Sequence, residues 1–229
     1  MIVAGVELGG TKVLCGVGTG PDDLEEVERI PTGDPDETLA AVAAFLAGRD
    51  VAAVGVGTFG PVELRRDHPR YGTLLETPKP GWRGVDLLGP LQAVTEAPIA
   101  LATDVEAAAL GEGRWGAGRG ARRLLYATVG TGIGAGMLSG GVFVRGPGHP
   151  EMGHIPVARL PGDDFEGVCP AHGDCLEGLA SGPALAARFG RPAEELGGEH
   201  REEARRLVAG YLAMGMAAWT YTAVPDRIV

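Results

Sequence analysis

Apolar residues occur along this chain in two alternating kinds of segment. Short apolar runs predict β-strands, and longer amphipathic segments predict helices. The predicted strands span residues 2–8, 12–17, 24–30, 51–57, 99–103, 124–128 and 133–138, and the predicted helices span residues 35–47, 105–113, 176–189 and 199–222. Because strands and helices alternate over most of the chain, the pattern predicts an α/β fold.

Two of the predicted strand pairs are joined by glycine-rich turns. Gly9–Gly10 separates the first pair, and Gly130–Gly132 separates the second pair about 120 residues later. Glycine lets backbone amides approach phosphate oxygens closely, so both turns are candidate phosphate-binding loops, with a plain hairpin turn as the alternative. The repetition predicts a duplicated architecture in two lobes, residues 1–115 and 116–229, with a cleft between them.

The composition narrows the classes of function. With 45% hydrophobic and 22% charged residues, the 229-residue chain has the composition of a globular protein. Its formal net charge of −10 would repel phosphodiester backbones, so no nucleic acid is expected as a partner. Residues 1–8 lack the charged and apolar regions of a secretory signal, which predicts a cytoplasmic location.

The segment 207–225 contains no charged residue and is long enough to span a bilayer as a helix. Glycine, threonine and proline dilute its apolar character, so we interpret it as a buried helix and expect no membrane as a partner. The residues predicted to share its buried face are Ala204, Val208, Tyr211, Gly215, Ala218 and Thr222.

Asp104 lies between a predicted strand and a predicted helix, and two interpretations fit that position. Its carboxylate could cap the helix by accepting hydrogen bonds from the amides of Glu106 or Ala107. Alternatively it is a general base, which accepts a proton from a substrate hydroxyl as that hydroxyl attacks the γ-phosphate of a nucleotide.

Four metal-binding side chains lie close together in an irregular segment, residues 145–178. Cys169, His172 and Cys175 form a Cys-x2-His-x2-Cys pattern, and His154 precedes it. Two thiolates and two imidazoles complete a tetrahedral zinc shell and leave no position for water. We therefore predict a structural zinc site that organises this segment, while Cys15 is predicted to pack in the core.

Glu151 and Glu177 flank the predicted metal site in the sequence. A bound metal would bring both carboxylates into one neighbourhood, where they could accept hydrogen bonds from sugar hydroxyls; solvated surface glutamates are the alternative. The segment 77–82 either edges the cleft with the Trp82 ring or forms a packed turn.

Five ordered motifs then resemble the ROK family (repressors, open reading frames, kinases). They are Glu7–Lys12, Thr103–Glu112, Val129–Gly134, Glu151–His154 and Cys169–Glu177. The Cys-x2-His-x2-Cys form and the segment 71–82 look most like the bacterial zinc-containing fructokinases. The resemblance implies an actin-like (ribonuclease-H-like), two-lobed sugar kinase fold that closes on a sugar and MgATP, usually as a homodimer.

The resemblance also implies roles for individual residues. Asp104 matches the catalytic base for transfer of the γ-phosphoryl group of ATP to the 6-hydroxyl of D-fructose, with Mg²⁺ bridging the phosphates. The residues matching sugar-binding positions are Thr103, Glu151, His154 and Glu177, with His154 also a zinc ligand. Those matching the two phosphate loops are Gly9, Gly10, Thr11, Lys12, Gly130, Thr131, Gly132 and Gly134.

Two departures from the family pattern change the picture. Glu106 stands where the family usually has Asn, which adds a charge that could raise the pKa of Asp104 or alter recognition of the sugar hydroxyls. Residues 225–229 read as the start of another strand, so the fold is expected to lack its C-terminal portion, including the part that covers adenosine.

The sequence leaves three alternatives to fructose phosphorylation. The hexose substrate could be glucose, mannose or N-acetylmannosamine. The chain could also be a non-catalytic sugar-binding protein. A ROK repressor is disfavoured because no helix-turn-helix precedes Ile2.

Overall fold

A computed structural model of the chain describes residues 1–77, 79–146 and 148–229. The described residues divide into two compact units. Unit 1 comprises Met1–Gly111 together with Val144–His149, and unit 2 comprises Glu112–Phe143 together with Pro150–Val229. Pro78, in the segment predicted as an aromatic wall or a packed turn, lies outside the described residues.

Unit 1 is built on a five-stranded sheet of order β3-β2-β1-β4-β5. Its strands are β1 (Val3–Leu8), β2 (Lys12–Gly20), β3 (Asp23–Pro31), β4 (Val54–Thr58) and β5 (Ile99–Thr103). The first three strands pair antiparallel, as the predicted hairpin requires, whereas β4 and β5 extend the sheet in parallel from β1. Alternate residues of β1 are buried, so one face of the sheet forms the core.

The helices of unit 1 are α1 (Pro35–Leu46), α2 (Gly89–Gln92) and the larger part of α3 (Asp104–Arg114), whose last three residues belong to unit 2. Helix α1 begins where Asp34 accepts hydrogen bonds from the amides of Asp36 and Glu37. Its buried residues recur at helical spacing and contribute Val42 and Leu46 to the core of the sheet.

Unit 2 contains a four-stranded sheet of order β8-β7-β6-β9. Its strands are β6 (Arg123–Val129), β7 (Ile133–Ser139), β8 (Val142–Phe143) and β9 (Arg227–Ile228). Strands β6 and β7 pair antiparallel around the second glycine-rich turn, as predicted. The strand predicted near the end of the sequence is β9, which lies parallel to β6.

Two short 3-10 helices and three α-helices complete unit 2. They are the 3-10 helices Met152–His154 and Ala193–Glu195, with α4 (Leu176–Ala180), α5 (Gly182–Phe189) and α6 (Gly198–Ala223). The prediction of a single helix over residues 176–189 is wrong, because the helix is interrupted at Ser181. The Ser181 hydroxyl caps α5 by accepting from the Ala184 amide, and Pro183 suits only the first turn of a helix.

Helix α6 is buried on one face, as predicted, but the face is rotated from the predicted one. Its buried residues are Ala204, Leu207, Tyr211, Gly215 and Trp219. Val208 and Ala218 are only partly buried, and Thr222 is exposed. Across the residues that the structure describes, no helix combines the length and apolar character needed to cross a membrane.

Candidate active site and metal cluster

The turn between β1 and β2 is closed by a hydrogen bond from the Gly9 amide to the Lys12 carbonyl, 3.0 Å long. Thr32, the residue that follows β3, supports this turn. Its hydroxyl donates to the Gly9 carbonyl at 2.8 Å, and its amide donates to the Thr11 carbonyl. Gly10 and Thr11 are exposed. The turn is therefore held from one side and open to a ligand on the other.

Asp104 is the first residue of α3, directly after β5, and it is half-buried. The capping interpretation of Asp104 is wrong. Thr103 caps the helix instead, since its hydroxyl accepts from the Glu106 amide at 3.3 Å while the Glu106 carboxylate accepts from the Thr103 amide at 3.0 Å. This reciprocal pair is a capping box. Within the described residues, the Asp104 carboxylate accepts a hydrogen bond of 2.8 Å from the adjacent amide of Val105.

Burial raises the pKa of Asp104 above its usual value, because the ionised form is poorly solvated there. The Val105 amide and the neighbouring His149 oppose this rise, and Glu7 adds to it. A carboxylate with a raised pKa binds a proton more readily than an ordinary aspartate does, which is the property required of a general base.

Glu106 occupies the position where an asparagine was expected from the resemblance, and its charge is matched inside unit 1. The side chain is 1% exposed, and both of its oxygens accept hydrogen bonds of 2.6 Å from Arg145. His149 Nδ1 lies 3.5 Å from the same carboxylate. Although burial acts to raise it, hydrogen bonds from His149 and Arg145 lower the pKa of Glu106 to about 2.

Sequence reasoning missed Arg145 and His149, because both are about 40 residues from Glu106 and no local pattern joins them. The pKa of Asp104 is raised, as expected, but Glu106 is not among the main causes. The rise comes first from burial, and the carboxylate that adds to it is Glu7.

The turn between β6 and β7 is closed by a hydrogen bond from the Gly130 amide to the Gly132 carbonyl, 2.8 Å long. Glu177 of α4 accepts from the Ile133 amide at 2.8 Å. A Cβ on Gly132 would lie 2.7 Å from the same carboxylate, so a larger residue there would displace the Glu177 side chain. Thr131 is exposed, and the turn leads through Gly134 into β7.

The four predicted metal-binding side chains come together in unit 2. The candidate ligand atoms of His154, Cys169, His172 and Cys175 all lie within 4.8 Å of one another. His154 Nδ1 is 3.5 Å from the sulfur atoms of both Cys169 and Cys175, and His172 Nδ1 is 3.7 Å from Cys169 Sγ.

These separations fit zinc. With Zn–S bonds of about 2.3 Å and Zn–N bonds of about 2.05 Å, tetrahedral geometry places nitrogen and sulfur ligands about 3.6 Å apart. The observed distances of 3.5 to 3.7 Å match that value. Two thiols and two imidazoles are also donors that bind zinc in preference to magnesium or calcium.

Of the two predicted carboxylates, Glu177 lies beside the cluster, whereas Glu151 is adjacent to it in the sequence. Glu177 Oε1 is 3.9 Å from His154 Nε2, the ring nitrogen that faces away from the sulfur atoms. Glu151 is exposed and immediately precedes the 3-10 helix that carries His154. A Cβ on the intervening Gly153 would lie 1.6 Å from the Ile133 carbonyl oxygen, so this helix packs directly on β7.

The loop that leads to the cysteines is anchored by a buried ion pair. Arg188 donates to both oxygens of Asp163 at 2.6 and 2.7 Å, and both side chains are less than a tenth exposed. The Tyr211 hydroxyl also donates to Asp163 and accepts from the Leu160 amide. Hydrogen bonds from Arg188 are the largest cause that lowers the pKa of Asp163.

The aromatic-wall interpretation of the segment ending at Trp82 is wrong, because the Trp82 side chain is fully buried. Its ring nitrogen donates to the Gly33 carbonyl at 3.0 Å, and its ring packs edge-on against Phe59. This segment is therefore a packed turn. The separate prediction that Cys15 packs in the core is confirmed, because Cys15 is buried in the core of unit 1.

The glycine-rich turns, the half-buried Asp104 carboxylate and the His/Cys cluster are the features expected of a sugar kinase of the ROK type. Comparison with known proteins agrees: a profile described as the ROK family matches residues 3–229, and the chain belongs to that family. The fructokinase of Zymomonas mobilis is 40% identical over 98% of this chain and 77% of its own length. The fructokinase of Pediococcus pentosaceus is 38% identical over 100% of this chain and 79% of its own length.

Among solved structures, the ROK hexokinase from Thermus thermophilus superimposes with a TM-score of 0.78 at 32% identity, covering 100% of this chain and 80% of that one. The predicted fold class, the actin-like α/β fold of the ROK sugar kinases, is thereby confirmed.

Proposed function

We propose that this chain is an ATP-dependent fructokinase, which converts D-fructose to fructose 6-phosphate. The observation that carries the proposal is Asp104, a half-buried carboxylate with a raised pKa at the start of α3. Fructose is preferred over glucose, mannose and N-acetylmannosamine because the two relatives described above are both fructokinases.

In the proposed reaction, Asp104 accepts the proton of the fructose 6-hydroxyl as O6 attacks the γ-phosphorus of ATP. The O6–phosphorus bond forms, the bond to the β-phosphate oxygen breaks, and ADP leaves. The pKa of Asp104, which burial raises above its usual value, favours uptake of this proton.

The two glycine-rich turns are proposed to bind the phosphates of ATP. Gly10, Thr11 and Thr131 are exposed, and their amides together with the two threonine hydroxyls are groups suited to phosphate oxygens. Mg²⁺ would enter with ATP and would offset the charge of the phosphates. Lys12, at the first position of β2, adds a cation beside the first turn.

Sugar recognition is assigned to Glu151, His154 and Glu177, whose carboxylates and imidazole can bind hydroxyl groups. Thr103 is also a predicted sugar-binding residue, but it is left out of this set because its hydroxyl already caps α3. We propose that His154, Cys169, His172 and Cys175 hold a structural zinc ion, which fixes the loop and the Nδ1-bound orientation of His154.

The proposal includes a cytoplasmic location, as predicted from residues 1–8, and a homodimer, as the resemblance implies. All three cysteines are free thiols, which suits a reducing compartment. Light scattering of the purified chain measures the oligomeric state directly, and a monomer at working concentration contradicts the dimer.

The test is release of ADP by the zinc-replete chain with MgATP and each of four sugars: fructose, glucose, mannose and N-acetylmannosamine. We expect turnover with fructose to be fastest and to fall by about 10²–10⁴-fold in Asp104→Asn. Asp34→Asn is the matched control, because it makes the same chemical change at the start of α1, where Asn caps as well as Asp. Equal activity of the Asp104→Asn variant, or no turnover with any sugar, overturns the proposal.

A further inference from the structure

Glu106 takes part in two structures at once. Within α3 it completes the capping box with Thr103, which fixes the first helical turn and therefore the backbone of Asp104. Toward the segment Val144–His149, its carboxylate is held in a two-pronged ion pair by Arg145.

The contacts leave Glu106 no role as a sugar ligand. One oxygen accepts from Arg145 Nε and faces His149, and the other accepts from Arg145 Nη2 and the Thr103 amide. The side chain is 1% exposed. Its effect on catalysis must therefore pass through the groups that it holds.

We infer that Arg145 is a positioning residue for Asp104, and that it acts through Glu106 by keeping the capping box of α3 closed. The inference rests on the proposed function, because positioning of a base has a kinetic effect only if Asp104 is that base. It identifies Arg145 as the group that balances the charge of the buried Glu106 carboxylate.

The physical reason is the cost of a buried carboxylate that loses its main ion pair. Without Arg145 the carboxylate keeps His149 at 3.5 Å but loses two hydrogen bonds of 2.6 Å, which favours turning toward water or taking up a proton, and either change weakens its bond to the Thr103 amide. The first turn of α3 would then shift, and a displacement of about 1 Å of a catalytic group can reduce a rate on the order of 10²-fold.

Removing both charges together separates this role from others. Arg145→Gln removes the two-pronged ion pair and leaves Glu106 with His149 and the Thr103 amide, whereas Arg145→Gln combined with Glu106→Gln removes both charges of the ion pair. Glutamine also accepts at the third position of a capping box, so the double variant keeps the cap. We expect kcat for fructose phosphorylation to fall by about 10²-fold in Arg145→Gln, with KM for fructose within about threefold of wild type.

The double variant is expected to recover kcat to within about threefold of wild type. If it remains as slow as Arg145→Gln, Arg145 acts on its own and the inference is wrong. The matched control is the ion pair of Arg49 with Glu26, partly exposed in the same unit. Neutralising one or both of its partners should leave kcat unchanged.

A readout independent of activity separates the two proposals. Hydrogen exchange of the Thr103 amide, which donates to Glu106, should speed up about tenfold or more in Arg145→Gln and return in the double variant. No turnover by wild type with any sugar refutes the proposed function alone. An unchanged Thr103 exchange rate in Arg145→Gln refutes the inference in either case.

Discussion

Gly153 tests how closely the segment carrying His154 must pack on β7. Replacing it with alanine puts a Cβ 1.6 Å from the Ile133 carbonyl oxygen and 2.6 Å from the carbonyl carbon. Real contacts of this kind do not fall below 3.0 Å, so the two backbones must separate by about 1.4 Å, the difference between 3.0 and 1.6 Å. No flexible side chain is available to give way, because the obstructing atoms belong to the backbone.

The expected cost follows from that separation. Overpacking a well-packed site usually costs about 1–3 kcal/mol, and a clash between two backbones belongs at the upper end, about 3 kcal/mol. The displacement also exceeds by far the tolerance of about 0.2 Å on metal–ligand distances. His154 would therefore leave its position beside Cys169 and Cys175, and zinc affinity would fall.

Denaturant unfolding and zinc content by mass spectrometry measure the two effects. Gly197→Ala is the control, since it lies in the same unit, has φ −135° and has no atom within 4 Å of its Cβ position. The control should change the free energy of unfolding by no more than about 1 kcal/mol. If Gly153→Ala is as stable as this control and binds zinc fully, the backbone packing described here is incorrect.

Arg188→Met is expected to lower the free energy of unfolding by about 3–5 kcal/mol, because it leaves the buried Asp163 carboxylate unpaired. Because the folded-state pKa of Asp163 is lowered, the wild type keeps this stability above about pH 4 and loses it as the pH falls further. Denaturant unfolding at a series of pH values measures this loss. If the free energy of unfolding depends on pH in the same way for wild type and variant, the prediction is contradicted. Cys175→Ser removes a thiolate but keeps a good cap for α4, so zinc content should fall while helix content by circular dichroism stays constant; retained zinc excludes Cys175 as a ligand. Thr32→Val removes the 2.8 Å bond to the Gly9 carbonyl, and it should cost about 1 kcal/mol and raise KM for MgATP; an unchanged KM separates this bond from nucleotide binding.

Short-range patterns predicted the parts of the site that depend on neighbouring residues. The hairpin at Gly9–Lys12 and the Cys-x2-His-x2-Cys pattern each occupy a few positions, so turn geometry and ligand spacing were sufficient. A local signal was also present for the helix cap, because Thr103 and Glu106 have the spacing of a capping box. The break at Ser181 was likewise visible as a serine followed by Gly-Pro.

The ion pair of Glu106 with Arg145 could not be predicted, because the two residues meet only when the whole of unit 1 has folded. The buried face of α6 was misplaced for a different reason. Alanine and glycine occur on all sides of this helix, so its periodicity is weak, and the large Leu207 and Trp219 side chains decided the burial.

Glu177 belongs to two sites at the same time. One of its oxygens holds the Ile133 amide at the end of the β6–β7 turn, and the other faces His154 of the metal cluster. A ligand bound by the turn and a metal bound by the cluster therefore act on one carboxylate. Thermodynamic reciprocity then requires that, by whatever factor metal changes the affinity of the turn for phosphate, phosphate changes the affinity of the cluster for metal.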